Sequence, residues 1–269
     1  MTTKNFEKHI SGFYKLCRNL GRTQINEQKN LDVNLKSDNT PVTNIDLHSS
    51  QIIVQHISEY FQNDIIVSEE SYNHNNGNSS YWLVDPIDGT KNYINGGKEF
   101  CICISYIKHD YPIFGIIYIP AKDEFYYAIE NKGSFVIDNK SKKPKRITNA
   151  NIQNNIYVSS AIRKPLVDML KTDFKDSNLV YMSSAVKFAR IAEGKGHLSL
   201  RLGPTYEWDT AAGQCIVEEA GGLFLNNNLK RFTYGQTENY LNGPFFVING
   251  DIKEYEATIH QSLSLVGLT

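Results

Sequence analysis

The chain reads as an α+β half followed by an α/β half, and three patterns carry that reading. Short β-type segments separated by turn residues fill 100–137, and strand-like and helix-like segments then alternate from 156 to 225. The first twenty residues show the three- and four-residue apolar steps of an amphipathic helix. With 269 residues, 41% of them hydrophobic and 12% aromatic, the chain can build a substantial core, which excludes a disordered or fibrous protein. Its net charge of −1 offers no global field for nucleic acid or an anionic membrane, so an anionic ligand must be held locally.

The elements follow in order. From Met1 to Leu20 the residues Phe6, Ile10, Phe13, Cys17 and Leu20 share one helical face. This segment lacks the apolar core of a signal peptide, and the longest apolar stretch, Cys101 to Ile107, is too short to span a bilayer. Both features predict a cytoplasmic protein; peripheral contact with the inner membrane and oligomeric state leave no mark in the sequence. Leu31–Leu35 alternates like a half-exposed strand before the turn-rich Lys36–Pro41. A helix is predicted from Asn44 or Asp46, with Ile53, Ile57, Tyr60 and Phe61 inside. Ile65–Val67 is a short strand ending at Ser68-Glu69-Glu70, and Asn73–Ser80 is an Asn/Ser/Gly-rich surface loop.

Four strands follow at Cys101–Ile107, Ile113–Ile119, Phe125–Ala128 and Ser134–Ile137, with hairpin turns at 108–112 and 130–133. The basic run Lys140 to Arg146 reads as a solvated connection between halves 1–150 and 151–269. In the second half, strands at Ile156–Val158, Leu179–Met182, His197–Leu202 and Gly222–Leu225 alternate with helices at Pro165–Lys171, Ala185–Glu193 and Thr210–Ala220, and Phe245–Ile248 adds a strand. Cys101 and Cys103 share a strand face but match no zinc motif, so the four cysteines read as buried thiols in a reducing compartment.

The densest chemistry lies in Trp82-Leu83-Val84-Asp85-Pro86-Ile87-Asp88-Gly89-Thr90. Trp82 and Val84 fall on one side of a buried strand, and Pro86 removes a ladder donor and pushes Asp85 toward an extended conformation. Two aspartates this close repel, and a divalent cation with oxygen ligands relieves the repulsion. Gly89 allows close backbone approach, and Thr90–Ile94 opens a helical turn whose N–H groups suit an anion. A polar Asx-type turn after a strand accounts for the same residues. Two further acidic clusters adjoin regular elements, Ser68-Glu69-Glu70 and Glu207-Trp208-Asp209-Thr210-Ala211-Ala212-Gly213. Helix capping explains Asp209 and Asp46 equally well, and Glu69 and Glu70 can be plain surface acids.

These segments resemble the signature of the lithium-sensitive, magnesium-dependent phosphatases of the inositol monophosphatase superfamily, most closely the bacterial 3′(2′),5′-bisphosphate nucleotidases of the CysQ type. The closer likeness adds Lys36-Ser37-Asp38-Asn39-Thr40-Pro41-Val42-Thr43, Ser183-Ser184-Ala185-Val186-Lys187-Phe188 and Arg201-Leu202-Gly203-Pro204-Thr205. It spans essentially the whole chain. The resemblance implies a five-layered αβαβα sandwich and a cage for two or more Mg²⁺ made of Glu69, Asp85, the Ile87 carbonyl, Asp88 and Asp209, with Asp85 bridging. Hard oxygen donors without a His or Cys set agree with Mg²⁺ rather than zinc. In two-metal sites the ions lie about 3.5–4 Å apart and clamp attacking and leaving oxygens.

By the same resemblance Asp46, Glu69 and Thr90 are catalytic, Asp46 and Thr90 orienting the attacking water. Glu69, Asp88, Gly89, Thr90, Ser184, Lys187, Arg201 and Asp209 would contact substrate. Taken alone, Lys187 and Arg201 read equally well as ordinary surface cations. Where many nucleotidases carry Ser-Arg-Ser-His, this chain has Ser159-Ser160-Ala161-Ile162, so the histidine that helps hold the nucleotide is replaced by Ile162. The implied activity is hydrolysis of 3′-phosphoadenosine 5′-phosphate, with a small phosphorylated nucleotide as substrate and no nucleic-acid partner. The alternatives are an inositol or sugar-phosphate phosphatase, and a non-catalytic regulatory protein on the same fold.

Overall fold

Amphipathic periodicity produces the first element of the computed structural model, which describes residues 3–72, 77 and 79–268. Helix α1 (Thr3–Glu27) buries Phe6, Phe13, Cys17 and Leu20, and it runs two turns beyond the segment expected from the apolar steps. A small hairpin, β1 (Val33–Leu35) and β2 (Pro41–Thr43), precedes α2 (Asn44–Tyr60). Thr43 is the N-cap of α2 and Asp46 its third residue, and the two exchange side-chain and backbone hydrogen bonds as a capping box. The sequence alternative that made Asp46 the cap is corrected by one turn. Ile53, Ile57 and Phe61 point inward as expected, whereas Tyr60 lies half exposed at the surface.

Among the described residues, β3 (Ile66–Ser68), β4 (Ser80–Asp88), β5 (Cys101–Lys108), β6 (Tyr111–Ile119), β7 (Glu124–Ile129), β8 (Gly133–Ile137) and β9 (Lys145–Ile147) form one sheet in chain order. The short helix α3 (Thr90–Ile94) leaves the end of β4. A second sheet has the order β11 (Asn178–Tyr181), β10 (Asn155–Val158), β12 (Leu198–Arg201), β14 (Phe245–Ile248), β13 (Leu223–Asn226). Its first three strands are parallel and the last two pair antiparallel. Helices α4 (Lys164–Asp173), α5 (Val186–Ala192), α6 (Ala211–Glu219) and α7 (Glu256–Ser264) connect and flank these strands.

Among the described residues, three large clusters fill the spaces between the layers, five in all, and a small fourth one, Ile45, Ile87, Tyr93 and Phe100, lies beside α3. Phe6, Phe13, Ile53 and Ile57 of α1 and α2 pack on Trp82, Ile102, Ile104 and Phe114 of the larger sheet. On its other face, Leu83, Cys103 and Ile117 meet α5 and α6, which also contact Phe245 and Val247 of the smaller sheet. Leu166 and Leu170 of α4 and Ile259 and Leu263 of α7 cover the outer face, against Ile156, Leu198 and Phe246. The order is α, β, α, β, α, and the near-continuous apolar runs of the central strands, buried on both faces, create it.

Where β4 meets its neighbours, the chain departs from a plain strand. β3 pairs only with Trp82–Val84, so Pro86 lies beyond its end and its missing N–H deprives no partner. Opposite β5, Asp85 pairs with Cys103 and Asp88 with Cys101, which leaves Pro86 and Ile87 facing the single residue Ile102. This is a bulge. Side chains three apart on a regular strand point to opposite faces, and the extra residue returns Asp88 to the face of Asp85.

Some expected elements differ. The first hairpin turn is only His109-Asp110, both at positive φ (49° and 67°), and Tyr111 and Pro112 begin β6. The basic connection closes into edge strand β9, whose exposed Lys145 and Arg146 suit an unpaired edge. Most of the loop at Asn73–Ser80 lies outside the described residues, and Ser80 itself opens β4. Helix α7 has too little apolar periodicity to be read: Ile259 and Leu263 alone mark its hydrophobic inner face.

Gly115 is where α6 approaches β6 most closely. A Cβ there would stand 2.6 Å from the Ala212 carbonyl oxygen and 3.0 Å from Cys215 Cβ. Gly115→Ala should therefore push α6 away and destabilise the protein by about 1–3 kcal/mol, the usual range for overpacking. A urea unfolding midpoint equal to that of the parent would contradict this packing.

Candidate active site

The bulge in β4 supplies two carboxylates and the turn before α6 supplies a third. Carboxylate oxygens of Asp85, Asp88 and Asp209 all lie within 4.8 Å of one another. Asp209 ends the short 3-10 turn Glu207–Asp209 and accepts the Tyr206 N–H at 2.8 Å, which fixes its direction. The small residues after it have the function expected of them. A Cβ on Gly213 would stand 2.2 Å from the Phe188 ring, so only glycine lets α6 and α5 meet there. Glu207, in the same acidic cluster, turns the other way and accepts the Tyr81 hydroxyl and the Gly235 N–H, each at 2.7 Å. The cluster thus splits into one structural and one cleft-facing acid.

Packing three acids together raises their proton affinity. Burial, then the charges of Glu69, Asp88 and Asp209, holds Asp85 well above the usual carboxylate range. Burial, then Asp88 and Glu69, pushes Asp209 up to about 8. Asp88 is raised by burial, opposed by the ammonium of Lys187. Its inner oxygen also takes the Ala185 N–H, a contact between the two halves of the chain. Neighbouring hard oxygens with unrelieved repulsion are a fitting donor set for Mg²⁺.

Glu69 lines the same cleft, but its carboxylate is bonded to Lys36 Nζ at 2.7 Å, and Glu70 shares that ammonium at 2.9 Å. Lys36 is the residue sequence reasoning missed. It stood inside a quoted segment, and the adjacent acids Glu69 and Glu70 were the only signal for a partner. Thr90 Oγ1 lies 2.9 Å from the Ile87 carbonyl and 3.3 Å from Asp46 Oδ1, so its proton can serve either. The other Asp46 oxygen accepts from Thr43. Burial raises the Asp46 carboxyl above its ordinary range.

Two lobes of one cleft meet at this cluster, sharing Thr40, Glu69, Asp88, Lys91, Ser183 and Asp209. A lobe of about 610 Å³ is lined by Asp85, Ile87, Gly89 and Thr90. The other, of about 540 Å³, is lined by Lys187 and Arg201. Lys187 Nζ donates to the Ser184 carbonyl at 3.0 Å, and burial lowers its proton affinity. Arg201 Nη2 donates to the Pro204 carbonyl at 3.0 Å, while its buried Nε has no partner among the described residues. Ser184 differs from expectation. It is buried and lines neither lobe, and its Cβ lies 3.4 Å from the place a Gly89 Cβ would take. Gly89 itself caps α3 at φ 95°, a conformation that favours glycine. Ile162 lines a third cavity of about 410 Å³ together with Leu166, Leu202, Val266, Arg163 and Arg201 itself.

The raised carboxyl groups set a pH dependence for the metal-free protein. A carboxyl with a higher pKa when folded than when unfolded binds its proton more tightly in the native state, so stability falls as pH rises between the two values. Stability without metal should therefore decrease from about pH 4 toward the folded value of about 8 for Asp209. Asp209→Asn should flatten this slope, and added Mg²⁺ should abolish it. Thermal denaturation at pH 5 and pH 8, with and without Mg²⁺, measures it; greater stability at pH 8 without metal would contradict the arrangement.

Comparison with known proteins agrees with this architecture. The chain is 34% identical over 251 residues to the 3′(2′),5′-bisphosphate nucleotidase CysQ of Haemophilus influenzae, covering 91% of this chain and 88% of that protein. The solved CysQ of Bacteroides thetaiotaomicron, described as a bacterial member of the inositol monophosphatase family, superposes with a TM-score of 0.74 at 28% identity, over 87% of this chain and 94% of that one. An IMPase/NADP phosphatase solved with Mg²⁺ and phosphate shares the fold, with a TM-score of 0.77 at 21% identity over 97% of this chain and 95% of that one. The model of the inositol monophosphatase family matches residues 7–262, and the chain belongs to that family.

Proposed function

We propose that the protein is a Mg²⁺-dependent phosphatase that hydrolyses 3′-phosphoadenosine 5′-phosphate to AMP and phosphate, and that it also accepts the 5′-phosphosulfate. Removing that by-product would support sulfate assimilation. The observation that carries this reading is the meeting of two opposite charge sets in one cleft: Asp85, Asp88 and Asp209 beside Lys187 and Arg201. The acids suit cations, and the two cations suit an anionic group of the substrate. Similarity to the CysQ nucleotidases supports the choice of nucleotide.

Asp85, Asp88 and Asp209, with Glu69 and the Ile87 carbonyl, would hold two or more Mg²⁺ ions. When bound, Mg²⁺ supplies positive charge that acidifies water and stabilises charge developing on phosphate oxygens. Thr90 and Asp46 orient the attacking water, and Asp46 accepts its proton through the Thr90 hydroxyl. Gly89 and Thr90 present N–H groups to the phosphate. Lys36 holds Glu69 and Glu70 at the rim of the cleft.

Phosphate release from a panel of bisphosphonucleotide, inositol phosphate, fructose bisphosphate and NADP tests the assignment. The bisphosphonucleotide should be preferred, with inhibition by Ca²⁺, whose larger and looser shell misplaces the water, and by Li⁺. Full activity in excess chelator would refute metal dependence. A second reading, an inositol or sugar-phosphate phosphatase, is favoured by Ile162, which stands where many nucleotidases carry the histidine that helps hold the nucleotide.

Two sets of substitutions separate chemistry from recognition. Asp88→Asn and Asp209→Asn should each lower turnover at saturating Mg²⁺ by about 10²-fold or more, the scale of lost transition-state charge stabilisation. Near-parental turnover would remove that residue from the ligand set. Lys187→Ala or Arg201→Ala should raise KM for the bisphosphonucleotide by about 10- to 100-fold, since a charge-assisted phosphate contact contributes about 1.5–3 kcal/mol. An inositol monophosphate has no second phosphate, and its KM should barely move. Equal losses on both substrates would reject the nucleotidase assignment and leave the phosphatase chemistry standing.

A further inference from the structure

Directly across the sheet from the clustered acids stand two thiols in register with them. Cys103 is the cross-strand partner of Asp85, and Cys101 of Asp88. Cys101 and Cys103 are two residues apart on β5, so both side chains face the same side of the sheet as the bulged aspartates. Cys101 Sγ lies 3.8 Å from Cys103 Sγ and 3.5 Å from Asp88 Oδ2. The three ligand atoms of Asp88, Cys101 and Cys103 fall within 4.8 Å of one another. The proposed hydrolysis uses neither thiol.

These spacings have a chemical meaning. With zinc–sulfur bonds of about 2.3 Å and zinc–oxygen bonds of about 2.0–2.2 Å, a tetrahedron has sulfur–sulfur edges of about 3.8 Å and sulfur–oxygen edges of about 3.5 Å. A disulfide fits less well. Alternate residues of a strand have Cα atoms about 6.6–6.8 Å apart, at the upper limit for such a bridge.

We infer that Asp88, Cys101 and Cys103 form a soft-metal site beneath the hard-oxygen site, and that a cation of the Zn²⁺ or Cd²⁺ type bound there withdraws Asp88 from Mg²⁺ and inhibits the enzyme. Asp88 is the shared ligand and the point of entry, because it is partly exposed in the cleft while both cysteines are buried. Each thiol gives up its proton to solvent as its metal–sulfur bond forms. Thiolate donors select soft cations and carboxylates hard ones, which makes the two sites chemically distinct though they share a residue.

The inhibitory consequence rests on the phosphatase reading; the binding does not. Two readouts keep them apart. The first is ultraviolet charge-transfer absorption of cadmium thiolate on titrating the Mg²⁺-loaded protein with Cd²⁺, and it requires no activity. The parent should saturate at one Cd²⁺ per chain, Cys103→Ala should lose most of the signal, and Cys215→Ala, a buried thiol elsewhere in the same core, should keep it. The second is phosphate release at saturating Mg²⁺. The Cd²⁺ or Zn²⁺ concentration for half inhibition should rise at least about tenfold in Cys103→Ala and Cys101→Ala, at the low end of losses seen when metal-site partners are removed. Cys103→Ser, closer in volume, should behave alike if the alanine variant folds poorly. Absence of thiolate absorption in the parent, or equal half-inhibition in parent and cysteine variants, would overturn the proposal. Absorption without any phosphate release would leave the site standing and refute the phosphatase reading instead.

Discussion

The repulsion among Asp85, Asp88 and Asp209 is the constraint on which the rest of the molecule turns. Buried carboxylates so near one another are unfavourable in the native state unless they hold protons or cations. A chain that keeps such a cluster must secure it by packing that does not depend on the acids. Here the anchoring comes from both sides. Trp82 and Val84 fasten β4 into the aromatic core under α1 and α2, and the tight contacts of Gly115 and Gly213 clamp α6 behind Asp209. Stability is supplied by the layers and used locally at the cleft.

Cations surround the cluster, Lys187, Lys36 and Arg201 among them. Lys187 is buried and opposes the charge of Asp88 directly. Lys36 reaches in from the small hairpin to Glu69 and Glu70 at the rim. Arg201 lines the same cleft with a buried N–H that has no partner among the described residues, the kind of donor that a substrate anion can satisfy. The same surroundings therefore serve both the empty and the occupied cleft. Ammonium groups moderate repulsion among the acids, and a bound phosphate would redirect those groups to itself.

The two sheets contribute unequally to this arrangement. The last part of β4 runs on past its pairing with β3 and keeps only β5 as a neighbour, so a bulge and a proline cost little there. The smaller sheet and its helices supply Asp209 from the turn before α6, Lys187 from the first turn of α5 and Arg201 from the end of β12. A hydrogen bond from the Ala185 N–H to Asp88 ties the two contributions together. Relative placement of the halves thus sets the geometry of the cleft, and the middle layer of α5 and α6, which packs on both sheets, fixes that placement.

Much of this was legible in the chain itself. Short apolar runs bounded by turn residues located nearly every strand, and three-to-four spacing located α1, because these signals are local in the chain. The acids Asp85, Asp88 and Asp209 were visible as clusters beside regular elements, where turn and capping roles accounted for them equally well, and only the family resemblance joined them into one cage. Tertiary structure decided what local pattern cannot. Register across β5 determined that Asp88 turns to the face of Asp85 and that Cys101 and Cys103 lie opposite them. Pairing at long range turned the basic run at 145–147 into an edge strand and brought Lys36 to Glu69, 33 residues away. The same packing hid Ser184 behind Gly89 and sent Glu207 to Tyr81. Composition and period determine which side chains must be buried or charged; which of them meet depends on how strands align and layers stack, and no single segment contains that information.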